Sequence, residues 1–298
     1  FTHGLGAGGE PSVGRKAAEA SRPEIEKIVE GADLVFIAAG MGGGTGTGAS
    51  PIIAEIAKAA GALTIAIVTR PFTFEGKKRI ANSVEGLNAL KEIVDSIIVV
   101  SNDKLLITGG NLPIAQAFSE SDKVLAQSVK TVVDLILVPA VINLDFADVR
   151  NTLLNSGIAL IGFGMGKGKN KAHDAAQTAI NSPLLEASLQ GARKAIIAVT
   201  CGTNVSLFEA QETVNEIVET SGSNLDVKFG VALNELLEDS IIVSVIASDF
   251  EEQYDFTSTH TSIIKPVTPE SRTYHAEDDE DDDSFLPNIL KELEAEEN

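Results

Sequence analysis

The sequence holds a single cysteine, Cys201, so an intrachain disulfide is excluded. At the end of an apolar run, that thiol reads as a small core residue, and a reducing cytoplasm fits it. Long apolar runs are also missing. None approaches the ~18 residues of a membrane-spanning helix. The opening Phe1-Thr2-His3-Gly4 shows no basic and apolar leader. Both absences lead us to expect a cytoplasmic chain without direct membrane insertion. Positive charge is scarce: 23 Lys and Arg stand against 43 Asp and Glu, a formal net charge of -20. That balance argues against nonspecific nucleic-acid binding. No internal repeat is evident.

The acidity is uneven. Residues 276–298 hold eleven acids and one lysine. The run Glu277-Asp278-Asp279-Glu280-Asp281-Asp282-Asp283 predicts disorder by self-repulsion. Before it, residues 250–275 lack periodicity and read as a linker. After it, Ser284-Phe285-Leu286-Pro287-Asn288-Ile289-Leu290-Lys291-Glu292-Leu293 is an apolar segment on a charged tether, the pattern of a docking peptide. The bland alternative is a short frayed helix.

The remaining length suits two domains with their own apolar cores. Strands at 33–40, 63–69 and 95–100 alternate with helices at 50–60 and 77–91. That run predicts a parallel sheet covered by helices. A helix over 122–137, stopped by Pro139, is apolar nearly all round in its second half, which implies burial between two domains. Strands near 157–163, 195–200, 226–231 and 241–247 follow, with helices near 171–181 and 208–221.

Six of the nine residues from 40 to 48 are glycine, and they join an apolar strand to a helix start. Ser50 reads as the N-cap and Pro51 as the first helical residue. Such a joint offers backbone N–H groups and the positive end of a helix dipole, which favour a bound phosphate. Thr45 and Thr47 add hydroxyls. A glycine loop needed only for turning is the bland alternative. A Walker A loop fails for want of lysine. A dinucleotide fingerprint fits at residues 44–49, but the next strand ends in Thr69-Arg70-Pro71 where an acid is expected. Arg70 suits a 2′-phosphate, which keeps an NADP-binding oxidoreductase open. The third reading is the tubulin-type signature of a glycine triplet followed by Thr-Gly-(Ser, Ala or Thr)-Gly, matched throughout residues 42–48.

In this last form the run resembles the tubulin/FtsZ family of GTPases, in its bacterial cell-division version. Phe72 to Arg79, Ala117 to Asp122, Asn143 to Arg150, Ser182 to Glu186 and the strand 195–200 resemble further family motifs in order. The likeness covers about residues 1–250. It implies a tubulin-like α/β fold: a Rossmann-like parallel sheet, a long central helix, then a second α+β domain with a mixed sheet. The implied division is a GTPase domain over 1–141, a C-terminal activation domain over 142–250, an acidic linker over 251–283 and a partner-binding peptide over 284–298. The segment Gly4-Leu5-Gly6-Ala7-Gly8-Gly9-Glu10-Pro11 is similar to a family loop beside the nucleotide phosphates. By motif position the family's first strand and first glycine loop fall upstream of Phe1, so the chain is expected to be a fragment that need not be active alone.

The resemblance also implies roles. Gly43, Gly44, Thr45 and Gly46 cradle the phosphates of GTP or GDP, with Mg2+ accompanying the nucleotide. Glu75 and Arg79 stand at the ribose and phosphates. Phe118 stacks on guanine and Asp122 accepts from its N1–H and 2-amino group, although Lys123 stands where the family commonly has Asn. Asp145 and Asp148, with Asn143 assisting, act in trans on the GTP of the next subunit in a head-to-tail polymer. The protein then forms the midcell ring of bacterial septation and recruits membrane-tethering and regulatory division proteins through its terminal peptide. A non-hydrolysing filament protein of the same fold is the remaining alternative. The residues alone permit simpler roles: Glu75 and Arg79 as a helical ion pair, Phe118 and Asp122 as core aromatic and N-cap, and Asp145 as an N-cap with Asp148 in the first turn.

Overall fold

The computed structural model describes residues 4–109, 113–185, 187–222 and 225–250. The linker and terminal peptide expected at 251–298 lie outside the described residues. The first half contains α1 (Pro11–Ala20), α2 (Arg22–Val29), β1 (Leu34–Gly40), α3 (Thr45–Ala59), β2 (Leu63–Arg70), α4 (Lys77–Lys91), β3 (Ser96–Ser101), α5 (Asn102–Gly109) and α6 (Ile114–Leu137). The second half contains α7 (Phe146–Leu153), β4 (Gly157–Lys167), α8 (Lys171–Ile180), β5 (Ala192–Cys201), α9 (Leu207–Ser221), β6 (Asp226–Leu233) and β7 (Ser240–Phe250).

The strands form one seven-stranded sheet in the order β1-β2-β3-β4-β7-β5-β6. β1 to β4 are parallel, whereas β7 runs antiparallel to both β4 and β5. The expected parallel and mixed halves therefore meet at β4. Its first three residues pair with β3, and the rest pairs with β7. β2 is buried on both faces, as a covered parallel strand requires. Ala66 and Val68 pack with Ala54 of α3 and with Leu87 and Leu90 of α4. Ile65 and Ile67 pack on the opposite face with Val124 and Val132 of α6. That second cluster also takes in Phe163, Ile196 and Ile246, so α6 shares its core with both halves of the sheet. Its second half is not fully enclosed, because a cavity of about 550 Å³ separates it from β5, β6 and the start of β7. On β4, Gly162, Gly164 and Gly166 lie against the α8 backbone. A Cβ on Gly164 would stand 2.0 Å from the Ala175 carbonyl.

Two helix starts differ from expectation. α3 begins at Thr45, five residues before Ser50. The end of the glycine run is helical, so Ser50 is no cap: its hydroxyl donates to the Gly46 carbonyl at 2.6 Å. Pro51 falls inside the helix, within its first two turns. α6 begins at Ile114, directly after Pro113, so Asp122 is an interior residue and not an N-cap. Helices α1, α2 and α5 fall outside the expected elements, although α1 and α2 are amphipathic. The capping reading of Asp145 holds. Its carboxylate accepts from the Asp148 N–H at 2.8 Å, and Asp148 accepts from the Asp145 N–H at 3.4 Å. Cys201 is buried, and burial pushes its thiol up to about 11.

Two charged nodes tie elements together. Asp95, fully buried, accepts from Lys58 of α3 at 2.6 Å, from the Thr64 N–H at 2.8 Å and from the Asn155 N–H at 3.3 Å. It thus links α3, β2, β3 and the turn into β4. Lys171 pairs with Asp239 and, at 3.0 Å, with Glu209, which joins the starts of α8 and α9 to the turn before β7. Glu209 also accepts from the Ser206 N–H at 2.8 Å and its hydroxyl at 2.7 Å. These bonds, followed by Lys171, hold its carboxyl down at about 2.

Lys58→Met leaves Asp95 buried without its counter-charge. It should lower unfolding free energy in urea by about 3–5 kcal/mol, and a loss below about 1 kcal/mol would refute the assigned role. Glu209 has a folded pKa below its ordinary value of 4.5. Its stabilisation is therefore complete above that value and fades as pH falls toward about 2. In acid titrations of stability, Glu209→Gln should flatten the loss across this window, and an unchanged profile contradicts the linkage.

Candidate functional site

The C-terminal ends of β1, β2 and β3 share one edge of the sheet, where open α/β folds place ligands. After β1, Gly42 turns the chain with φ +100. Its N–H donates to Thr47 Oγ1 at 2.8 Å. Thr47 is therefore buried and engaged within the loop, not a donor to a ligand as expected from its hydroxyl. Thr45 is exposed at the start of α3. The first N–H groups of this helix have no intrahelical acceptor and lie at the positive end of its dipole.

The glycines of the run serve different ends. A Cβ on Gly44 would stand 2.6 Å from the Ala7 Cβ, and one on Gly46 would stand 2.5 Å from the Gly40 carbonyl. One on Gly48 would stand 2.0 Å from the Pro11 carbonyl. The chain's own packing requires these three. Gly43 differs: a Cβ there meets nothing within 4 Å, and its backbone does not adopt positive φ. The space beside Gly43 is left clear by the protein, and an anion resting on the loop fits it. The loop Gly4 to Glu10 forms a second wall. Ala7 touches Gly44, and the Glu10 N–H returns to the Ala7 carbonyl at 3.0 Å.

The segment after β2 adds the next groups. Pro71 and Arg79 both border Gly42. Arg79 pairs with Glu75 at 3.0 Å, so the helical ion pair is formed, and it stands beside the glycine run. Glu75 also accepts from the Phe72 N–H at 2.9 Å. Phe72 is buried and stacks on Phe74 with centroids 4.9 Å apart. Phe118 of α6 meets Phe72 edge-on at 5.0 Å and stays 40% exposed. It is not a buried core aromatic. Asp122 is exposed one helical turn further on. Two pairs position this region. Asp103, after β3, accepts from the Thr73 N–H at 2.9 Å, and the Ser121 hydroxyl donates to Asn102 at 2.8 Å.

Gly43, Gly44, Thr45, Gly46, Glu75, Arg79, Phe118 and Asp122 thus border one edge of the sheet. Asn143, Asp145 and Asp148 do not join them. Leu144 and Leu135 both approach Gly230: a Cβ on that glycine would stand 3.6 Å from the first and 3.5 Å from the second. That contact fixes the level of the acidic loop along α6. Leu135 lies seventeen residues beyond Phe118, about 25 Å along the helix. Asn143 closes its own turn, donating to the Ala140 carbonyl at 3.0 Å and accepting from the Ala140 N–H at 2.8 Å.

Sequence reasoning missed Asn82. Its amide donates to the carbonyls of Gly9 at 3.1 Å and Gly42 at 3.3 Å. The available signal was its place one turn beyond Lys78 and Arg79 on α4.

Gly43→Ala should leave stability unchanged within about 0.5 kcal/mol while weakening GDP binding. Gly48→Ala should cost at least about 1–3 kcal/mol in stability. Calorimetry of binding and thermal unfolding separate the two, and a Gly43→Ala variant that binds GDP normally removes the cradle assignment.

Comparisons with known proteins agree along the chain. The family model for the tubulin/FtsZ family GTPase domain matches residues 1–109, and that for the FtsZ family C-terminal domain matches residues 157–251. An empty FtsZ dimer from M. jannaschii is 42% identical with a TM-score of 0.77, over 83% of this chain and 72% of that one. A point mutant of FtsZ from M. jannaschii is 41% identical with a TM-score of 0.80, over 86% and 78%. GDP-bound monomeric CetZ1 from Haloferax volcanii is 18% identical with a TM-score of 0.70, over 85% and 77%, and shows likeness of fold. The chain therefore belongs to the tubulin/FtsZ family of GTPases, and its glycine run is read as the tubulin-type signature, not as a dinucleotide fingerprint.

Proposed function

We propose that the protein binds guanine nucleotide at the C-terminal edge of β1 to β3 and hydrolyses GTP at a site completed by a second copy. The observation that carries this reading is the separation of cradle from acids. Asp145 and Asp148 lie at the far end of α6, about 25 Å from Phe118 along the helix, so they do not reach the glycine run of their own chain. Head-to-tail stacking brings this loop of one copy to the cradle of the next. The relative from M. jannaschii solved as a dimer supports self-association.

In this reading Gly43, Gly44, Thr45 and Gly46 hold the phosphates through the N–H groups opening α3 and the exposed Thr45 hydroxyl. Arg79, half-exposed beside Gly42, adds positive charge while Glu75 faces the ribose. The exposed part of the Phe118 ring stacks on the base. Asp122 presents two acceptors to the adjacent donors of guanine, a pair that adenine lacks. Mg2+ would accompany the nucleotide and offset charge on its phosphates. In-line attack by water needs a group that orients it and accepts charge. The capping box uses Oδ1 of Asp145 and Oδ2 of Asp148. Each carboxylate keeps its second oxygen for that water, so capping and catalysis are compatible, with Asn143 fixing the loop before them. The biological reading is a filament of the midcell division ring. Its terminal peptide at 284–298 recruits membrane-tethering and regulatory division proteins, weakly per copy and with avidity along a polymer. The domain limits at 141, 250 and 283 belong to the same proposal.

Asp148→Ala should keep GTP binding and lose turnover by about 10²–10⁴-fold. Thr45→Ala should weaken the cradle but leave the acids intact. Mixing the two variants should restore turnover at interfaces where the Asp148→Ala cradle meets the Thr45→Ala acids. Wild-type turnover by Asp148→Ala alone overturns the catalytic assignment. Binding and polymerisation without any turnover in the wild type favours the non-hydrolysing filament reading.

A further inference from the structure

We infer that Asn82 is a positioning residue that joins the two glycine loops into one phosphate cradle and aims the Gly42–Gly43 peptide at the ligand. The inference rests on the nucleotide reading above and adds a residue to it. Asn82 sits half-buried in the second turn of α4. Its amide nitrogen bonds the carbonyls of Gly9 and Gly42, which belong to loops 33 residues apart in sequence. Both partners are pure acceptors, so only the NH₂ end of the amide fits between them. Both carbonyls belong to glycines with positive φ, 76° at Gly9 and 100° at Gly42. These backbones have few steric restraints of their own, so the side chain that binds their carbonyls fixes their orientation.

The consequence follows from peptide geometry. In a planar trans peptide, the carbonyl of one residue and the N–H of the next point in opposite directions. Holding the Gly42 carbonyl on Asn82 therefore turns the Gly43 N–H away from α4. That N–H has no hydrogen bond among the described residues. It belongs to the one glycine of the run whose side-chain position is clear of protein atoms. Asn82 thus holds an anion-binding N–H in place. Its second bond keeps the Gly4–Glu10 wall beside that N–H. One turn earlier, Lys78 pairs with Glu10 of the same wall. This contact is exposed and screened by salt, whereas the Asn82 bonds are neutral and the one to Gly42 is half-buried. The geometry gives Asn82 the positioning role and Lys78 a supporting charge.

The test uses the full chain with Asn82→Leu, which keeps the shape and removes the donors, and Asn82→Gln, which keeps the donors. In the nucleotide-free protein, hydrogen exchange over residues 4–10 and 42–46 should quicken in Asn82→Leu and return toward wild type in Asn82→Gln. The melting temperature should stay put. GDP affinity should fall about ten- to a hundredfold in Asn82→Leu, with recovery in Asn82→Gln. Affinity for guanosine, which lacks phosphate, should not change. Equal exchange in both variants, or equal losses for GDP and guanosine, overturns the assignment. A wild-type chain that binds neither GDP nor guanosine contradicts the nucleotide reading instead, and the exchange comparison still decides whether Asn82 joins the loops.

Discussion

Close approach of backbone to backbone, with no Cβ between, is the constraint on which the nucleotide half depends. Gly14 of α1 lies against the Gly44 carbonyl, where a Cβ would stand 2.2 Å away, and Gly48 of α3 lies against the Pro11 carbonyl. These contacts bring the starts of two helices together at one edge of the sheet. In the proposed reading, an anion-binding edge then arises from main-chain N–H groups held by this packing together with Asn82. The loop needs no catalytic side chain to hold a phosphate. It needs small residues, and most of its glycines answer to the protein's own packing. Gly43 is left clear of that packing, and the proposed phosphate site uses the space.

The same economy of side chains explains why the proposed chemistry calls for a second copy. A cradle built from backbone binds charge but does not orient a water for attack. The carboxylates suited to that task stand at the other end of α6. The helix is a rigid spacer between a nucleotide edge and an acidic loop, sharing its core with both halves of the sheet. The Asp145–Asp148 capping box gives that loop a defined shape before any partner arrives. In the proposed reading, binding and hydrolysis are thereby separated in space, and assembly becomes the step that joins them.

Much of this architecture is legible in the sequence, and particular residues show why. The apolar run of β2, set between two helical stretches, reads as a covered strand, and the Asp-x-x-Asp spacing at 145–148 announces its cap. The starts of α3 and α6 depart from local expectation for opposite reasons. Ser50-Pro51 is a strong local signature, yet packing of Gly44 and Gly48 on α1 makes the preceding glycines helical. Ahead of Asp122, by contrast, a full extra stretch of helix runs back to Pro113. Asp95 and Lys171 are not visible at all, and Asn82 is marked only by its place one turn beyond Lys78 and Arg79. Each acts through partners tens of residues away, which no local pattern reveals. The groups proposed for the cradle are expected from motif order along the chain, which carries information that composition and periodicity do not.

The central claim is that one chain supplies the nucleotide cradle and another the acids. GTP turnover per protomer, measured across a range of protein concentrations, tests it most directly. The account predicts negligible turnover in dilute solution and a steep rise once copies associate, in step with the appearance of assemblies by light scattering. A turnover rate per protomer that stays constant from the dilute limit upward would mean that a single chain holds a complete site, and would contradict it.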